Sequence, residues 1–282
     1  MRANGATGAC ALATGSLRSL LFCPGDAPRK MARALAAGAD AVILDLEDAV
    51  APAAKDQARA AVRTMLAEPR SGAVLVRVNA ADTAWHLDDL AALVDGAPDA
   101  IMLPKCAGPA ELLRLAHRLD ALERACGLGH GTIGILPLVT ETAAALDRMG
   151  YAGVTPRLVA LGFAGEDLAA DLGVAARAAG ELNPLLAQAR RTVALAAAVA
   201  GVRAIDTPFA DPRDAAGLAA EARSARELGF AGKLCIHPDQ IAAVHAAFRP
   251  EPAQIAWGRA VIAALAGTTG VALVDGRMVD RA

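Results

Sequence analysis

Short, continuously apolar runs recur along the chain, separated by stretches with helical patterning. They fall at residues 19–23 (SLLFC), 41–46 (AVILDL), 73–79 (AVLVRVN), 100–103 (AIML), 133–139 (IGILPLV), 158–163 (LVALGF), 204–207 (AIDT) and 233–237 (KLCIH). They are apolar throughout rather than alternating, the pattern of parallel strands covered on both faces. Punctuation supports helices between them. Asp26 is placed to cap a helix that takes Pro28 in its first turn and ends at Gly38. Pro109 opens 110–126 and Gly127 closes it; Thr140 caps 141–149 before Gly150; Pro212 opens 213–228 before Gly229. Eight strand–helix units at roughly 25–45 residues each predict a (β/α)8 TIM barrel with a short C-terminal helical extension. The expected layout is a flexible tail over 1–15, the barrel over 16–248 and the extension over 249–282, with a helix at 253–265 and an apolar run at 271–274.

Composition narrows the classes. At 282 residues, 55% hydrophobic and 21% charged, the chain can bury a large core, which excludes whole-chain disorder. Lys and Arg number 28 against 30 Asp and Glu, and aromatics are 3%. Neither a nucleic-acid partner nor an anionic membrane surface is expected. The longest apolar run, near 192–202, falls short of the roughly 18 residues that span a membrane, and the N-terminus lacks a signal-peptide core. The five cysteines, Cys10, Cys23, Cys106, Cys126 and Cys235, show no C-x-x-C spacing. Buried inert thiols and a reducing, cytoplasmic location are expected.

In a barrel, chemistry sits at the C-terminal ends of the strands. The polar residues there are Asp45, Glu47, Asp48, Arg77, Asn79, Lys105, Glu141, Glu166, Asp167, Asp206 and His237. Carboxylates without thiolates or paired histidines favour a hard ion such as Mg2+. Glu141 and Asp167 follow neighbouring strands and can reach one ion; equally, each fits an ordinary first-turn acid on a helix. Arg77 interrupts an apolar strand and must meet an anion. Either it pairs with Asp45 or Glu47, or it captures a substrate carboxylate bidentately. The glycines of G-L-G-H-G (127–131) lie between a helix and a strand, the wrong order for a phosphate loop.

The segments R-S-L-L-F-C-P-G (18–25), D-A-V-I-L-D-L-E-D-A-V (40–50), V-R-V-N (76–79), L-P-K (103–105), P-L-V-T-E-T (137–142), G-E-D-L-A-A-D-L-G (165–173), A-I-D (204–206) and G-F-A-G-K-L-C-I-H-P-D-Q (229–240) occur in order. Together they resemble the citrate lyase β-subunit-like proteins of the HpcH/HpaI aldolase and citrate lyase superfamily. The resemblance implies a barrel that binds Mg2+ and acts on CoA thioesters, usually as a homotrimer or hexamer. It implies Glu141 and Asp167 as metal ligands and Arg77 as the anchor for an oxo- or hydroxy-acid carboxylate. Glu47 and Asp48 would support the site, and Arg18 and Lys55 would contact CoA phosphates. Asp280, in V-D-G-R-M-V-D (274–280), matches an acid that the family supplies to a neighbouring subunit. The family continues with a further helix where this sequence stops at Ala282, so a reduced lid is expected. The activity implied is a Mg2+-dependent acyl-CoA lyase acting on citramalyl-, malyl- or citryl-CoA. The alternatives are a CoA-independent class II oxo-acid aldolase, and a citrate lyase β subunit working with acyl carrier protein and transferase subunits. The aldolase branch usually takes its base from an early histidine, and none precedes His86 here.

Overall fold

The computed structural model describes residues 12, 15–70, 72–178, 181–267 and 270–281. The expected N-terminal tail lies, but for residues 12 and 15, outside them. The elements run β1 (Ser19–Pro24), α1 (Pro28–Ala36), β2 (Ala41–Asp45), α2 (Lys55–Ala67), β3 (Ala73–Arg77), α3 (Trp85–Leu93), β4 (Ala100–Leu103), α4 (Pro109–Ala125), β5 (Gly134–Pro137), α5 (Ala143–Leu146), β6 (Ala160–Gly162) and α6 (Gly165–Leu172). A small antiparallel hairpin follows, β7 (Arg177–Ala178) with β8 (Glu181–Leu182). Then come α7 (Pro184–Ala200), β9 (Arg203–Asp206), α8 (Ala215–Glu227), β10 (Gly232–Cys235) and α9 (Gln240–Phe248).

Eight parallel strands pair in the order β5-β4-β3-β2-β1-β10-β9-β6. Parallel bridges Ile135–Leu158 and Leu138–Gly162 join β5 to β6 and close the ring. This is the (β/α)8 barrel the apolar runs predict. Strand alternation decides what faces its interior. Leu20, Ala41, Ile43, Leu75, Ala100, Met102, Leu136, Ala160, Ile205 and Leu234 form one buried cluster. The same parity carries Asp45, two residues beyond Ile43, and Arg77, two beyond Leu75, to the inside at the strands' C-terminal ends.

Three helix starts differ from expectation. Asp26 makes no capping bond; α1 begins at Pro28 after an uncapped Ala27. The helix read from Pro212 begins at Ala215, because the Asp214 side chain accepts from the Gly217 N–H. Thr140 caps nothing, since its Oγ1 accepts from the Ala164 N–H, and α5 shrinks to four residues. Glu141 therefore lies in a loop and is no first-turn helical acid.

The chain divides into two compact units, the first running to Ala247 and the second from Phe248. The second unit holds α10 (Pro252–Ala266), opened by a reciprocal capping box between Glu251 and Gln254. Beyond the expected helix it carries a hairpin of β11 (Ala272–Val274) and β12 (Arg277–Val279). Asp275 and Gly276 both take positive φ, 48° and 74°, as the two-residue Asp-Gly turn requires. Among the described residues no helix is long and apolar enough to cross a membrane.

Candidate active site

The rim is assembled around Arg77. Its Nε and Nη2 donate to the two carboxylate oxygens of Asp45 at 2.8 and 2.7 Å. Its Nη1 lies 3.1 Å from Glu47 and 3.7 Å from Asp48, and the guanidinium stacks on Phe22. Burial opposes the charge on Arg77, but the Asp45 bonds and the surrounding carboxylates hold its pKa above the ordinary value. Bidentate capture of a substrate carboxylate is therefore not the geometry found. Two nitrogens belong to Asp45, and Nη1 is turned to the rim carboxylates of Glu47 and Asp48.

Asp45 also accepts the N–H groups of Glu47 and Ala49 at 2.9 and 3.2 Å, which bends the chain after β2 into a tight acidic turn. Gly25 explains the C-P-G after β1: its N–H donates to the Asp45 carbonyl at 2.8 Å, and a Cβ there would lie 2.7 Å from that oxygen. Glu47 is buried and Asp48 is exposed. Burial pushes Glu47 above the ordinary carboxylate range, against the pull of Arg77 and Lys105.

Lys105, just past β4, ties the acids together. Its ammonium bonds Glu47 and lies 3.5 Å from Asp48, while its backbone N–H donates to Glu141 Oε2. That double role requires a left-handed backbone, φ +49°, rare for a residue with a side chain. Burial works against the Lys105 charge, but the Glu47 bond and the nearby carboxylates outweigh it and raise its pKa.

Glu141 is buried, and its Oε1 has no hydrogen-bond partner. Burial first, and then the charges of Asp167 and Glu47, push its pKa up to about 8. Asp167 stands in the first turn of α6, held in place by a bond from the Gly165 N–H to Thr207 Oγ1 at 2.8 Å. Burial and the Asp48 charge raise Asp167 as well. An orphaned buried carboxylate oxygen beside a second crowded carboxylate is what a hard, oxygen-seeking divalent cation relieves. Among the described residues no His/Cys/Asp/Glu group of three or more is arranged as a metal site. Two protein carboxylates with the remaining positions open fits an ion of the Mg2+ type.

The other expected site residues separate. Arg18 precedes β1, at the opposite end of the barrel, and grips Asp40 through Nε and Nη2 at 2.9 and 2.8 Å. Lys55 is on the rim side but buried, its Nζ donating to the Leu46 and Glu47 carbonyls. Neither presents a cation to a ligand phosphate. Asp280 belongs to the second unit and is exposed. Asp206 turns outward, because Ile205 takes the interior position, and pairs with Arg190 and the fully buried Lys233. His237 is a local rim residue beside Asp239. The glycine run at 127–131 serves structure: Glu123 accepts the N–H groups of Gly131 and Ile133. Cys23, Cys106 and Cys235 are buried, their thiols pushed up by burial to about 11, 11 and 12. Sequence reasoning missed Asp89, which accepts from both N–H groups of Asn79 and from Arg59, and so holds the loop after β3. No local pattern marks a partner ten residues away on α3.

Arg77 and the carboxylates around it line the C-terminal rim of a (β/α)8 barrel, the end at which enzymes of this fold carry their chemistry. The sequence pattern of the HpcH/HpaI aldolase/citrate lyase family matches residues 18–238, and the chain belongs to that family of carbon–carbon lyases. It is 38% identical to a citrate lyase subunit beta-like protein of Mycobacterium tuberculosis, over 92% of this chain and 89% of that one. It is 36% identical to a (3S)-malyl-CoA thioesterase of Cereibacter sphaeroides, over 93% and 89%. The crystal structure of protein CitE from Mycobacterium tuberculosis in complex with magnesium, acetoacetate and coenzyme A superposes with a TM-score of 0.76 at 38% identity, covering 95% of this chain and 93% of that one.

Proposed function

We propose that this protein is a Mg2+-dependent acyl-CoA lyase. Its substrate would be a 3-hydroxy-acyl-CoA bearing a further carboxylate, such as citramalyl-, malyl- or citryl-CoA. The observation that carries this reading is the unpartnered Oε1 of Glu141 beside Asp167, on the rim that Arg77 Nη1 faces. Glu141 and Asp167 would hold the ion. Bound there, Mg2+ supplies Lewis-acid polarisation of the substrate's carboxylate and hydroxyl. Arg77, fixed by Asp45, directs Nη1 at that same carboxylate. Glu47 and Asp48 keep Lys105 and Arg77 in register and order water at the mouth.

In the cleavage direction the hydroxyl gives its proton to a water at the rim and the C2–C3 bond breaks. The electron pair passes to the thioester enolate, which an acid protonates to acetyl-CoA while the oxo-acid is left behind. Asp280 is our candidate acid, acting from a neighbouring copy in a homotrimer or hexamer. Kinship to a protein that binds coenzyme A and to a malyl-CoA enzyme supports a thioester over a free oxo-acid. It also disfavours the class II aldolase reading. His86 weakens that reading further, being buried with Nδ1 committed to the Asn79 carbonyl. Kinship to a citrate lyase subunit beta-like protein keeps a second reading: a β subunit needing acyl carrier protein and transferase partners. We place the enzyme in the cytoplasm.

The test is acetyl-CoA release from the three thioesters with Mg2+ and with EDTA. Metal-dependent release from one of them is expected and identifies the acyl group. Release that ignores EDTA, or none in the presence of Mg2+, overturns the stand-alone lyase. Release only when acyl carrier protein and transferase subunits are added assigns the subunit reading.

A further inference from the structure

Lys55 has no part in the chemistry above, yet it is 6% exposed and its charge sits directly beneath the acidic turn. Its Nζ donates to the Leu46 carbonyl at 2.7 Å and to the Glu47 carbonyl at 2.8 Å, and lies 5.3 Å from the centre of the Trp85 ring. The same turn is gripped through its amides. The Leu46 N–H donates to the Arg77 carbonyl at 2.9 Å, and Asp45 accepts the N–H groups of Glu47 and Ala49. The Leu46–Glu47 peptide is thus held on both edges, its carbonyl by Lys55 and its N–H by Asp45, with the Glu47 carbonyl bound by Lys55 and the Leu46 and Ala49 N–H groups bound on either side. A turn held on both edges has one conformation, and that conformation fixes where the Glu47 and Asp48 side chains stand. Without the ammonium, the Leu46 carbonyl loses that partner and the Glu47 carbonyl is left with the Val50 N–H at 3.1 Å, so the turn is held mainly along its amide edge.

We propose that Lys55 is a positioning residue. It acts through the backbone of the acidic turn to hold Glu47 and Asp48 against Arg77 and Lys105, and it does not touch the CoA moiety. The kinetic half of the test rests on the lyase reading; the labelling half does not. Lys55→Met keeps the stem and removes the donor. It lowers kcat by about 10- to 100-fold, as expected for a catalytic group displaced by an ångström. KM for the thioester, and the preference for CoA over 3′-dephospho-CoA thioesters, stay at wild-type values. Lys55→Arg, which keeps N–H donors under the turn, restores kcat to within a few fold. A raised KM with kcat intact, or a lost preference for the 3′-phosphate, overturns the proposal.

The chain has four lysines, which allows a second measurement that needs neither a folded variant nor turnover. In the metal-free, CoA-free protein, acetic anhydride followed by peptide mass spectrometry labels the exposed Lys30 and half-exposed Lys105. It spares Lys55 and the fully buried Lys233. Labelling of Lys55 at the rate of Lys30, suppressed by CoA, identifies a ligand contact and refutes a positioning role. A wild-type protein without lyase activity but with Lys55 protected would fail the functional reading alone.

Discussion

Replacing Glu141 by glutamine isolates a buried carboxyl crowded by Asp167 and Glu47. The wild-type carboxyl titrates near 8 in the folded protein against an ordinary 4.5. Between those values the unfolded chain has lost its proton while the folded protein keeps it. Stability therefore falls as pH rises from 4.5 to 8, and the whole penalty is present above 8. At ~1.4 kcal/mol per tenfold, that gap is a ceiling of about 5 kcal/mol. The amide retains the acceptor for the Lys105 N–H but brings a buried NH2 group without a partner, a loss of about 1–3 kcal/mol. Lys105 also loses the attraction of a nearby charge. The net expectation, without metal, is a gain of about 2 kcal/mol at pH 8 that turns into a loss of about 1 kcal/mol at pH 5. Urea unfolding in EDTA across pH 5–8.5 reads this directly. Mg2+ should stabilise the wild type, increasingly as pH rises toward 8 because the ion displaces the Glu141 proton, and should leave Glu141→Gln unmoved. Parallel pH dependences in the two proteins, or a variant equally destabilised at both ends, would refute the account of Glu141 as a crowded, protonated carboxyl awaiting a cation.

Asp167→Asn removes the second carboxylate and should abolish Mg2+-dependent turnover while leaving the far-ultraviolet circular dichroism unchanged. Arg77→Met should cost more than binding: it strands Asp45 in the interior, so a stability loss of about 3–5 kcal/mol accompanies the loss of activity, measured by urea unfolding beside kinetics. Arg77→Lys should recover little of either, since one ammonium cannot replace a fork that holds Asp45 by two nitrogens. Among the described cysteines, Ellman's reagent should label the exposed Cys126 in the native protein and spare Cys23, Cys106 and Cys235 until denaturant is added.

The eight strands were legible because a parallel strand covered on both faces has to be apolar throughout. The inward pair Asp45 and Arg77 was legible because each polar side chain interrupts such a run. Arg18 misled, because R-S-L-L is contiguous in sequence with the first strand while its arginine precedes it and so lies at the other end of the barrel. Asp206 misled by parity: one position decides between interior and helix layer, and a four-residue strand holds too few side chains to reveal it. Lys55 was placed on the correct side, but nothing local says that a lysine opening a helix folds back under the preceding turn. The backbone conformation of Lys105, which sends its amide to Glu141 and its ammonium to Glu47, is invisible to pattern because a glycine is the usual mark of positive φ.

The charge balance of the rim gives these placements a common reason. Asp45, Glu47, Asp48, Glu141 and Asp167 crowd around Arg77 and Lys105, while the Lys55 ammonium below them is bound to backbone carbonyls. Asp45 is neutralised by a two-point bond to Arg77, and Glu47 and Asp48 lie between Arg77 and Lys105. Among the described residues Glu141 and Asp167 have no ion pair of their own, and both are pushed toward the protonated form. A divalent cation suits that pair of acids in sign, and it binds by displacing the protons that burial and mutual repulsion otherwise hold there. Arg77 and Lys105 thus do more than offset repulsion: by engaging Asp45, Glu47 and Asp48, they leave Glu141 and Asp167 as the pair open to a metal.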